Sequence, residues 1–470
     1  MTQRGRLAAA ALLPVLLAGC TSFATGASGA PATDDGRLHC PAPRAAPDPH
    51  RPVVDLDVRL SDDLGTVTGT EAVRFTPDVA TSEMVFRLVP NDPASSAAGN
   101  RLTVDTVHGR DVAGGGYESD GAAAPGGLYR VRLGHRLTPG GTTRVTLGFT
   151  LRLGRGTFDR FGTDRGTSWW ASGAPLLAWE PGTGWVRDPF VRVLGETATS
   201  PAADTRIRVS VPEALTVLMT GAQDPPTAPR GGRRTWTSRE PAARDVSIAA
   251  GRFTTREART PDGVRVTVGA LPGSDLAADR LLDWTTGAIT RLERSLGRYP
   301  YRTLTVPYLG EYGGGIEYPS SILLAAASRP VLVHEVAHMW FYGMVGDDQY
   351  RDPWLDEAFA SYAEALVDPP PAARLQRVLH GQGDVGAAIG DFPDTRDYFR
   401  VVYGKGEAAL LTARQRAGAA EFDAAVRCYV NANAWTIATP ADVGAALANL
   451  PAAVRVLMDA GALRPGDVPR

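Results

Sequence analysis

The spacing of apolar residues changes once along this chain of 470 residues, and that change constrains the fold more than any other feature. From about residue 50 to residue 255, apolar residues recur at every second position, as in Val54, Leu56, Val58 and Leu60. Alternation of this kind is typical of strands with one buried face. Because no helical pattern interrupts these strands, the region predicts an N-terminal antiparallel β domain.

From about residue 275 the apolar spacing becomes helical and stays mostly helical as far as Leu457. The first predicted helix begins at Asp275, whose side chain can cap it, and ends at Gly297. Its apolar face comprises Leu281, Leu282, Ile289, Leu292 and Leu296. The chain therefore predicts a multidomain α+β protein in which the C-terminal half is largely helical.

Composition excludes several classes of function. The 49 basic and 51 acidic side chains give a net charge of −2, which provides no general attraction to nucleic acid or to an anionic membrane surface. Three cysteines are too few for a disulfide scaffold or a multi-cysteine zinc module. Cys40 and Cys428 can pair in an oxidising compartment, but their wide separation favours two free thiols.

The first residues are typical of an export signal. A short basic segment precedes an apolar run, residues 7–19, that is too short to span a bilayer. The run ends in Leu17-Ala18-Gly19-Cys20, which resembles the lipobox of bacterial lipoproteins and implies acylation of Cys20. The alternative is an ordinary secretory signal. We therefore expect a signal peptide over residues 1–19, a tether over 20–51, and an extracytoplasmic protein attached to the membrane only through a lipid.

Residues 334–338 carry the strongest chemical signal, His334-Glu335-Val336-Ala337-His338. On a helix, positions i and i+4 lie one turn apart, so both imidazoles can bind the same Zn²⁺. Glu335 then lies beside them as a candidate general base. With seven histidines in the chain, composition predicts this pattern by chance only about 0.006 times.

Two carboxylates follow on the next predicted helix. A catalytic zinc needs a third protein ligand, and Glu357, 19 positions after His338, provides one. Glu364 lies seven residues further and faces the same way. It can orient a zinc-bound imidazole, or it can be a solvated carboxylate on the helix face.

Three motifs together resemble the membrane alanyl aminopeptidase family of zinc metallopeptidases, the gluzincins. The family's zinc signature matches residues 334–341 and Trp354-Leu355-Asp356-Glu357. Its Gly-x-Met-Glu-Asn motif is similar to residues 313–319, and its Tyr-x-Lys-Gly motif matches residues 403–406. The resemblance implies one Zn²⁺ per chain and a thermolysin-like zincin catalytic domain over residues 256–470, after a β domain over residues 52–255.

The resemblance also implies roles for individual residues. Tyr403 is expected to stabilise the oxyanion, and Glu317 is expected to bind the substrate's amino group, with Gly313, Gly314 and Gly315 leaving backbone close to the peptide. Isoleucine and tyrosine replace the family's Met and Asn on either side of Glu317. A glycine-rich turn with a surface glutamate is the alternative at this motif.

These residues support three functional hypotheses. The first is a zinc-dependent aminopeptidase that hydrolyses the N-terminal bond of peptides with a free amino group. The second is a zinc endopeptidase that lacks strict recognition of the N-terminus. The third is a non-catalytic surface lipoprotein with an inert zinc domain. The side-chain preference at the first residue and the oligomeric state are not readable from the sequence.

Overall fold

The β-rich first part of the chain runs from Val53 to Gly251. The computed structural model describes residues 42–156, 160–310 and 312–469. The strands of this part are β1 Val53–Leu60, β2 Thr66–Phe75, β3 Thr81–Arg87, β4 Arg101–His108, β5 Val112–Glu118, β6 Leu128–Leu137, β7 Thr143–Arg152, β8 Phe161–Asp164, β9 Thr167–Ala171, β10 Leu176–Leu177, β11 Trp179–Glu180, β12 Gly184–Trp185, β13 Ala203–Pro212, β14 Thr216–Met219, β15 Ala222–Gln223, β16 Arg233–Ala243 and β17 Ser247–Gly251.

These strands form layers around one apolar core. A seven-stranded sheet has the order β15-β16-β13-β1-β2-β7-β4, and two four-stranded sheets have the orders β10-β3-β6-β5 and β14-β17-β9-β8. The predicted inward face of β1 is confirmed, since Leu56, Val58 and Leu60 are buried and Val54 is partly buried against the same core. The prediction of a wholly antiparallel domain is wrong for one pair, because β1 and β13 are parallel. Parallel neighbours need a long connection, and most of the β domain lies between these two strands.

The second part of the chain combines a smaller sheet with helices. Its strands are β18 Thr254–Arg259, β19 Arg265–Ala270, β20 Thr303–Tyr308, β21 Gly315–Tyr318, β22 Ser321–Leu324, β23 Gly346–Asp347 and β24 Ile437–Ala438. After a short helix α1 Pro93–Ala97 in the β-rich part, the helices are α2 Ala278–Leu296, α3 Arg329–Ala337, α4 Trp354–Val367, α5 Ala372–Leu379, α6 Thr395–Tyr398, α7 Gly406–Ala417, α8 Ala419–Ala432, α9 Pro440–Ala446 and α10 Pro451–Asp459. Two 3-10 helices cover Val89–Asn91 and Ile389–Asp391, and a π-helix covers Phe399–Lys405.

The five-stranded sheet has the order β18-β19-β20-β22-β21, so β21 lies at its edge. Helix α2 packs against β18, β19 and α3. It ends at Gly297 as predicted, but the predicted cap is wrong. The Asp275 carboxylate accepts a hydrogen bond from the Tyr308 hydroxyl of β20 at 2.7 Å, and the helix begins beyond it at Ala278.

The predicted α+β class is confirmed, with a β-sheet region followed by a largely helical one. The boundary at residue 255 and the thermolysin-like description of the second domain stay predictions. None of the helices in the described ranges is long and apolar enough to cross a membrane.

The N-terminal predictions concern mostly residues that the structure does not describe. The signal peptide and Cys20 lie outside the described residues, as does Cys40. The last part of the predicted tether contacts α8, since the backbone N–H of Ala45 donates to the Asn431 carbonyl at 2.9 Å. Cys428 is disulfide-bonded, so the expectation of a free thiol there is wrong.

Candidate active site

Two buried helices carry the predicted metal ligands. His334 and Glu335 lie on α3, and His338 follows directly as the residue that ends it. Glu357 lies in the first turn of α4. Helix α3 begins with proline at its first turn, where no N–H is needed. Because α3 and α4 pack against each other, the two histidines and Glu357 face the same point.

The three side chains lie close enough together to share one zinc ion. Their donor atoms all lie within 4.8 Å of one another. Glu357 Oε2 is 3.2 Å from His334 Nε2 and 3.4 Å from His338 Nε2. A tetrahedral ion with bonds of about 2.0–2.1 Å separates its ligand atoms by about 3.3 Å. Two imidazoles and one carboxylate are also the donor set of known catalytic zinc sites, so these residues fit Zn²⁺.

Each histidine is held from behind by a carboxylate. Asp356 Oδ1 lies 2.5 Å from His338 Nδ1, and Glu364 Oε2 lies 3.5 Å from His334 Nδ1. Gln349 in turn donates to Asp356 at 3.4 Å. Such contacts direct the Nε2 atoms towards the metal and raise their basicity. Glu364 therefore lies where the orienting interpretation requires it.

Glu335 is positioned as a base beside the ligand set. Its side chain is 5% exposed, and Oε2 has no hydrogen-bond partner among the described residues. A Cβ at Gly315 would lie 2.6 Å from Glu335 Cγ, so only glycine allows the edge strand to approach this closely. Burial raises the pKa of Glu335 to about 7, while His334 and His338 oppose the rise. A group that titrates near neutral pH is suited to accepting and releasing a proton.

Tyr403 reaches the same point from the π-helix. Its hydroxyl donates to Glu357 Oε1 at 2.5 Å, and its ring stacks on His334 with centroids 5.7 Å apart. Burial, together with the Glu357 carboxylate, raises the pKa of the Tyr403 phenol well above its usual value. The phenol therefore stays protonated and remains a hydrogen-bond donor.

The neighbouring residues hold the π-helix in place. Lys405 donates to the Gly383 carbonyl at 2.7 Å, and Gly406 lies so close to α4 that a Cβ would meet that of Ala358 at 2.4 Å. Single π turns are frequent at functional sites. Lysine and glycine in this motif thus fix the position of Tyr403 relative to the ligand helix.

Glu317 lies on β21, opposite the metal ligands. It is 4% exposed, and its Oε1 atom has no hydrogen-bond partner in the described part of the chain. Burial raises its pKa well above the usual value; His338 opposes the rise, and the neighbouring carboxylates Glu196, Asp356 and Glu357 add to it. A cation placed next to Glu317 would therefore be strongly favoured.

Arg160 and Glu196 complete the wall around Glu317. Arg160 donates to the Tyr318 hydroxyl at 2.8 Å and forms an ion pair with Glu196. Burial alone lowers the pKa of Arg160, but Tyr318, Glu196 and Glu317 raise it well above its usual value. Tyr318, which stands where the family motif has asparagine, thus holds a guanidinium beside Glu317.

The metal ligands, the base and the carboxylate of Glu317 line one cavity of about 1240 Å³. It contains the histidines, Glu335, Glu357 and Tyr403 on one side, and Glu317 with Gly313–Gly315 on the other. Gly313 and Gly314 have φ values of 94° and 78°, which only glycine adopts readily. The cavity is large enough for a short peptide.

Proteins of known activity resemble parts of this chain, although no family model matches it. Aminopeptidase M1-A of Oryza sativa subsp. japonica is 22% identical over 236 residues, which are 43% of this chain and 27% of that protein. Aminopeptidase N of Oryctolagus cuniculus is 31% identical over 135 residues, which are 24% of this chain and 14% of that protein. The matched part therefore spans about a quarter or less of these curated relatives.

Solved structures resemble almost the whole chain. The M1 zinc metallopeptidase from Deinococcus radiodurans has a TM-score of 0.65 and 19% sequence identity, and the match covers 93% of this chain and 98% of that one. A mutant of it bound to a Tyr-Ser-Ala substrate gives a TM-score of 0.66 at 18% identity, covering 92% and 98%. The fold is that of the M1 zinc metallopeptidases. Together with the sequence relatives, this fold supports the predicted family.

Within the M1 fold, the structure brings the predicted site residues into one place. The only exception is Cys20, which lies outside the described residues. The sequence analysis missed three contributors: Asp356, Arg160 and Glu196. Asp356 directly precedes the ligand Glu357 on the same helix, and this position could have predicted that it lies near the metal site. Arg160 and Glu196 belong to no motif, and only the fold shows that they meet Glu317.

Proposed function

We propose that the protein is an M1-family zinc aminopeptidase that removes single residues from peptides with a free N-terminus. One observation carries the proposal. A zinc-type ligand set meets a base and an edge-strand carboxylate in a single cavity, and one oxygen of each of these two carboxylates has no hydrogen-bond partner among the described residues. An endopeptidase or an inert zinc domain has no need of a buried carboxylate at Glu317.

Zinc supplies the electrophile: when bound, it lowers the pKa of a water towards about 7 and polarises a carbonyl. Glu335 accepts the proton of the attacking water through Oε2, which has no partner in the described part of the chain, and then transfers it to the departing amine. Its pKa of about 7 suits both transfers. Glu364 and Asp356 hold the two imidazoles in the orientation that this geometry needs.

Tyr403 stabilises the charge that develops on the carbonyl oxygen. Its hydroxyl donates to the ligand Glu357 in this structure, so it lies directly beside the ligand set. The phenol is protonated and held by the π-helix, so its hydroxyl needs only to turn away from Glu357 to donate to the carbonyl oxygen. Preorganised donors of this kind are among the larger contributions to enzymatic rate.

Glu317 determines which peptide bond is cut. An N-terminal ammonium group pairs with Glu317 Oε1, which no described residue of the chain engages, and this pairing places the first peptide bond at the ligand set. The edge position of β21 allows the substrate backbone to align as an added strand. A solved relative binds a Tyr-Ser-Ala substrate, and this supports a peptide as the substrate class.

Cleavage of amino-acyl p-nitroanilides with and without an N-terminal acetyl group tests the proposal. An aminopeptidase cleaves only the free-amine substrates, and Glu335→Gln protein prepared in the same way controls for contaminating peptidases. Equal cleavage of acetylated substrates would favour the endopeptidase instead. No cleavage of either, with zinc bound, would favour the inert binding protein.

We also propose that the mature protein is attached to the outer side of the cell membrane through a lipid on Cys20. The lipobox-like residues Leu17-Ala18-Gly19-Cys20 support this. Cys20→Ala is expected to release the protein from membranes into the soluble fraction.

We further propose a thermolysin-like domain over residues 256–470. The zinc motif on α3, beside a five-stranded sheet, supports it.

A further inference from the structure

A second group of potential metal ligands lies beside the first. Glu317, Glu335 and His338 each offer an atom, and these atoms lie within 4.8 Å of one another. The three side chains are 4%, 5% and 1% exposed. This group shares His338 with the catalytic ligand set, so an ion bound here would be an immediate neighbour of the catalytic zinc.

Two atoms of this group have unused capacity. Glu317 Oε1 and Glu335 Oε2 are buried, and neither has a hydrogen-bond partner among the residues that the structure describes. Both residues line the cavity. Unpartnered buried carboxylate oxygens are costly unless a cation or a donor occupies the space between them.

His338 contributes little to a second ion once the first is bound. Its Nδ1 atom is engaged by Asp356, and its Nε2 atom belongs to the first ligand set. A second ion therefore depends on the two carboxylates and on solvent. Two oxygen ligands bind zinc more weakly than the complete first set, so the two affinities will be well separated.

The surrounding charge favours a cation at this position. Glu196, Asp356 and Glu357 all act electrostatically on Glu317. His338 and Arg160 oppose this charge, but the guanidinium of Arg160 is already paired with Glu196 and bound to the Tyr318 hydroxyl. Negative charge therefore remains in excess at Glu317.

We propose that Glu317 and Glu335 bind a second divalent cation, Zn²⁺ in the first instance, and that this cation inhibits the enzyme in competition with the peptide's amino group. The inference rests on the proposed function, because Glu317 then serves two alternative ligands through one oxygen. Excess metal occupies the amine position and also engages the base. A peptide with a free N-terminus displaces it.

Equilibrium dialysis of the holoenzyme against buffered free Zn²⁺ tests this without requiring turnover. Wild-type protein is expected to rise from about one to about two zinc ions per chain as free Zn²⁺ increases, whereas Glu317→Gln stays at about one. Leucine amide, which carries the amino group but no scissile peptide bond, should raise the midpoint of the second step at least about tenfold. Glu407→Gln, which alters another buried cavity carboxylate outside the pair, should retain both steps.

The outcomes separate this inference from the proposed function. A stoichiometry that never exceeds one, or a second step that is unchanged in Glu317→Gln, overturns the inference alone. A midpoint that leucine amide does not move overturns the competition. Normal two-step binding with no cleavage of free-amine substrates at one zinc per chain would support the cation site and contradict the proposed function. A chain that binds no zinc overturns both.

Discussion

The two walls of the cavity are built in different ways. The helical wall takes its groups from α3, α4 and the π-helix, and each metal-binding imidazole has an orienting carboxylate behind it. The sheet wall takes Glu317, Arg160 and Glu196 from three distant segments, and within the described ranges Oε1 of Glu317 has no hydrogen-bond partner. The helical wall is thus arranged to fix a metal, whereas the sheet wall keeps an unsatisfied charge for a ligand.

The largest expected effect is on the helical wall. Glu335→Gln keeps the shape of the side chain but removes the base, so kcat should fall by about 10³–10⁴-fold. Zinc content should stay at about one per chain, since Glu335 is not a ligand of the first site. Steady-state kinetics with metal analysis on the same preparation checks both. Retained turnover in this variant would remove Glu335 from the mechanism.

The second-largest effect is expected for Tyr403→Phe, which should lower kcat by about 10²–10³-fold. The hydroxyl acts on charge that develops during the reaction, so KM should change little. A variant in which KM rises and kcat is kept would place Tyr403 in substrate binding instead.

Glu317→Gln tests the sheet wall. It removes one charge-assisted contact to the ammonium, so kcat/KM for free-amine substrates should fall by about 10–100-fold, mainly through KM. The ratio of kcat/KM for free-amine substrates to kcat/KM for acetylated substrates should fall at the same time. If the two substrate classes lose activity equally, the sheet wall does not select the amino group.

Asp356→Asn tests the carboxylate that supports His338 in the helical wall. The amide is a weaker acceptor for His338 Nδ1, so zinc affinity should fall by about 10–100-fold while kcat at saturating zinc changes less. Competition with a zinc chelator measures the affinity. The reverse pattern, with normal affinity and low kcat, would contradict the orienting role.

The smallest expected effect on turnover comes from Glu240, behind the sheet wall. Its carboxylate accepts a 2.6 Å hydrogen bond from Ser320, which lies between β21 and β22. Burial raises its pKa to about 8, with Ser320 and Arg302 opposing the rise. The folded state therefore binds this proton more tightly than the unfolded state does. Its contribution to stability is present at low pH and is lost as pH rises from about 4.5 through 8.

Glu240→Gln should remove that part of the pH dependence. The free energy of unfolding, measured with urea at pH 5 and pH 8, should fall less between these two pH values in the variant than in the wild type, by a few kcal/mol at most. If it falls equally in both proteins, Glu240 titrates normally. Turnover should stay close to that of the wild type.

The same contrast explains what the sequence could reveal. His334, His338 and Glu357 lie on regular helices, where spacing along the chain translates directly into direction in space. Arg160 and Glu196 meet Glu317 only because the β domain packs beside β21, and no local pattern records that packing. The predicted helix cap at Asp275 is wrong for a related reason. Its carboxylate accepts a hydrogen bond from Tyr308, which is distant in sequence. The parallel pairing of β1 with β13 is likewise a long-range property.

A crystal structure of the zinc-loaded protein tests the central claim most directly. We predict one zinc bonded to His334 Nε2 and His338 Nε2 at about 2.0–2.1 Å and to a Glu357 oxygen at about 2.0–2.2 Å, with the fourth position held by solvent. Three side chains that point away from a common ion, or a fourth protein ligand that closes the site, would contradict the account.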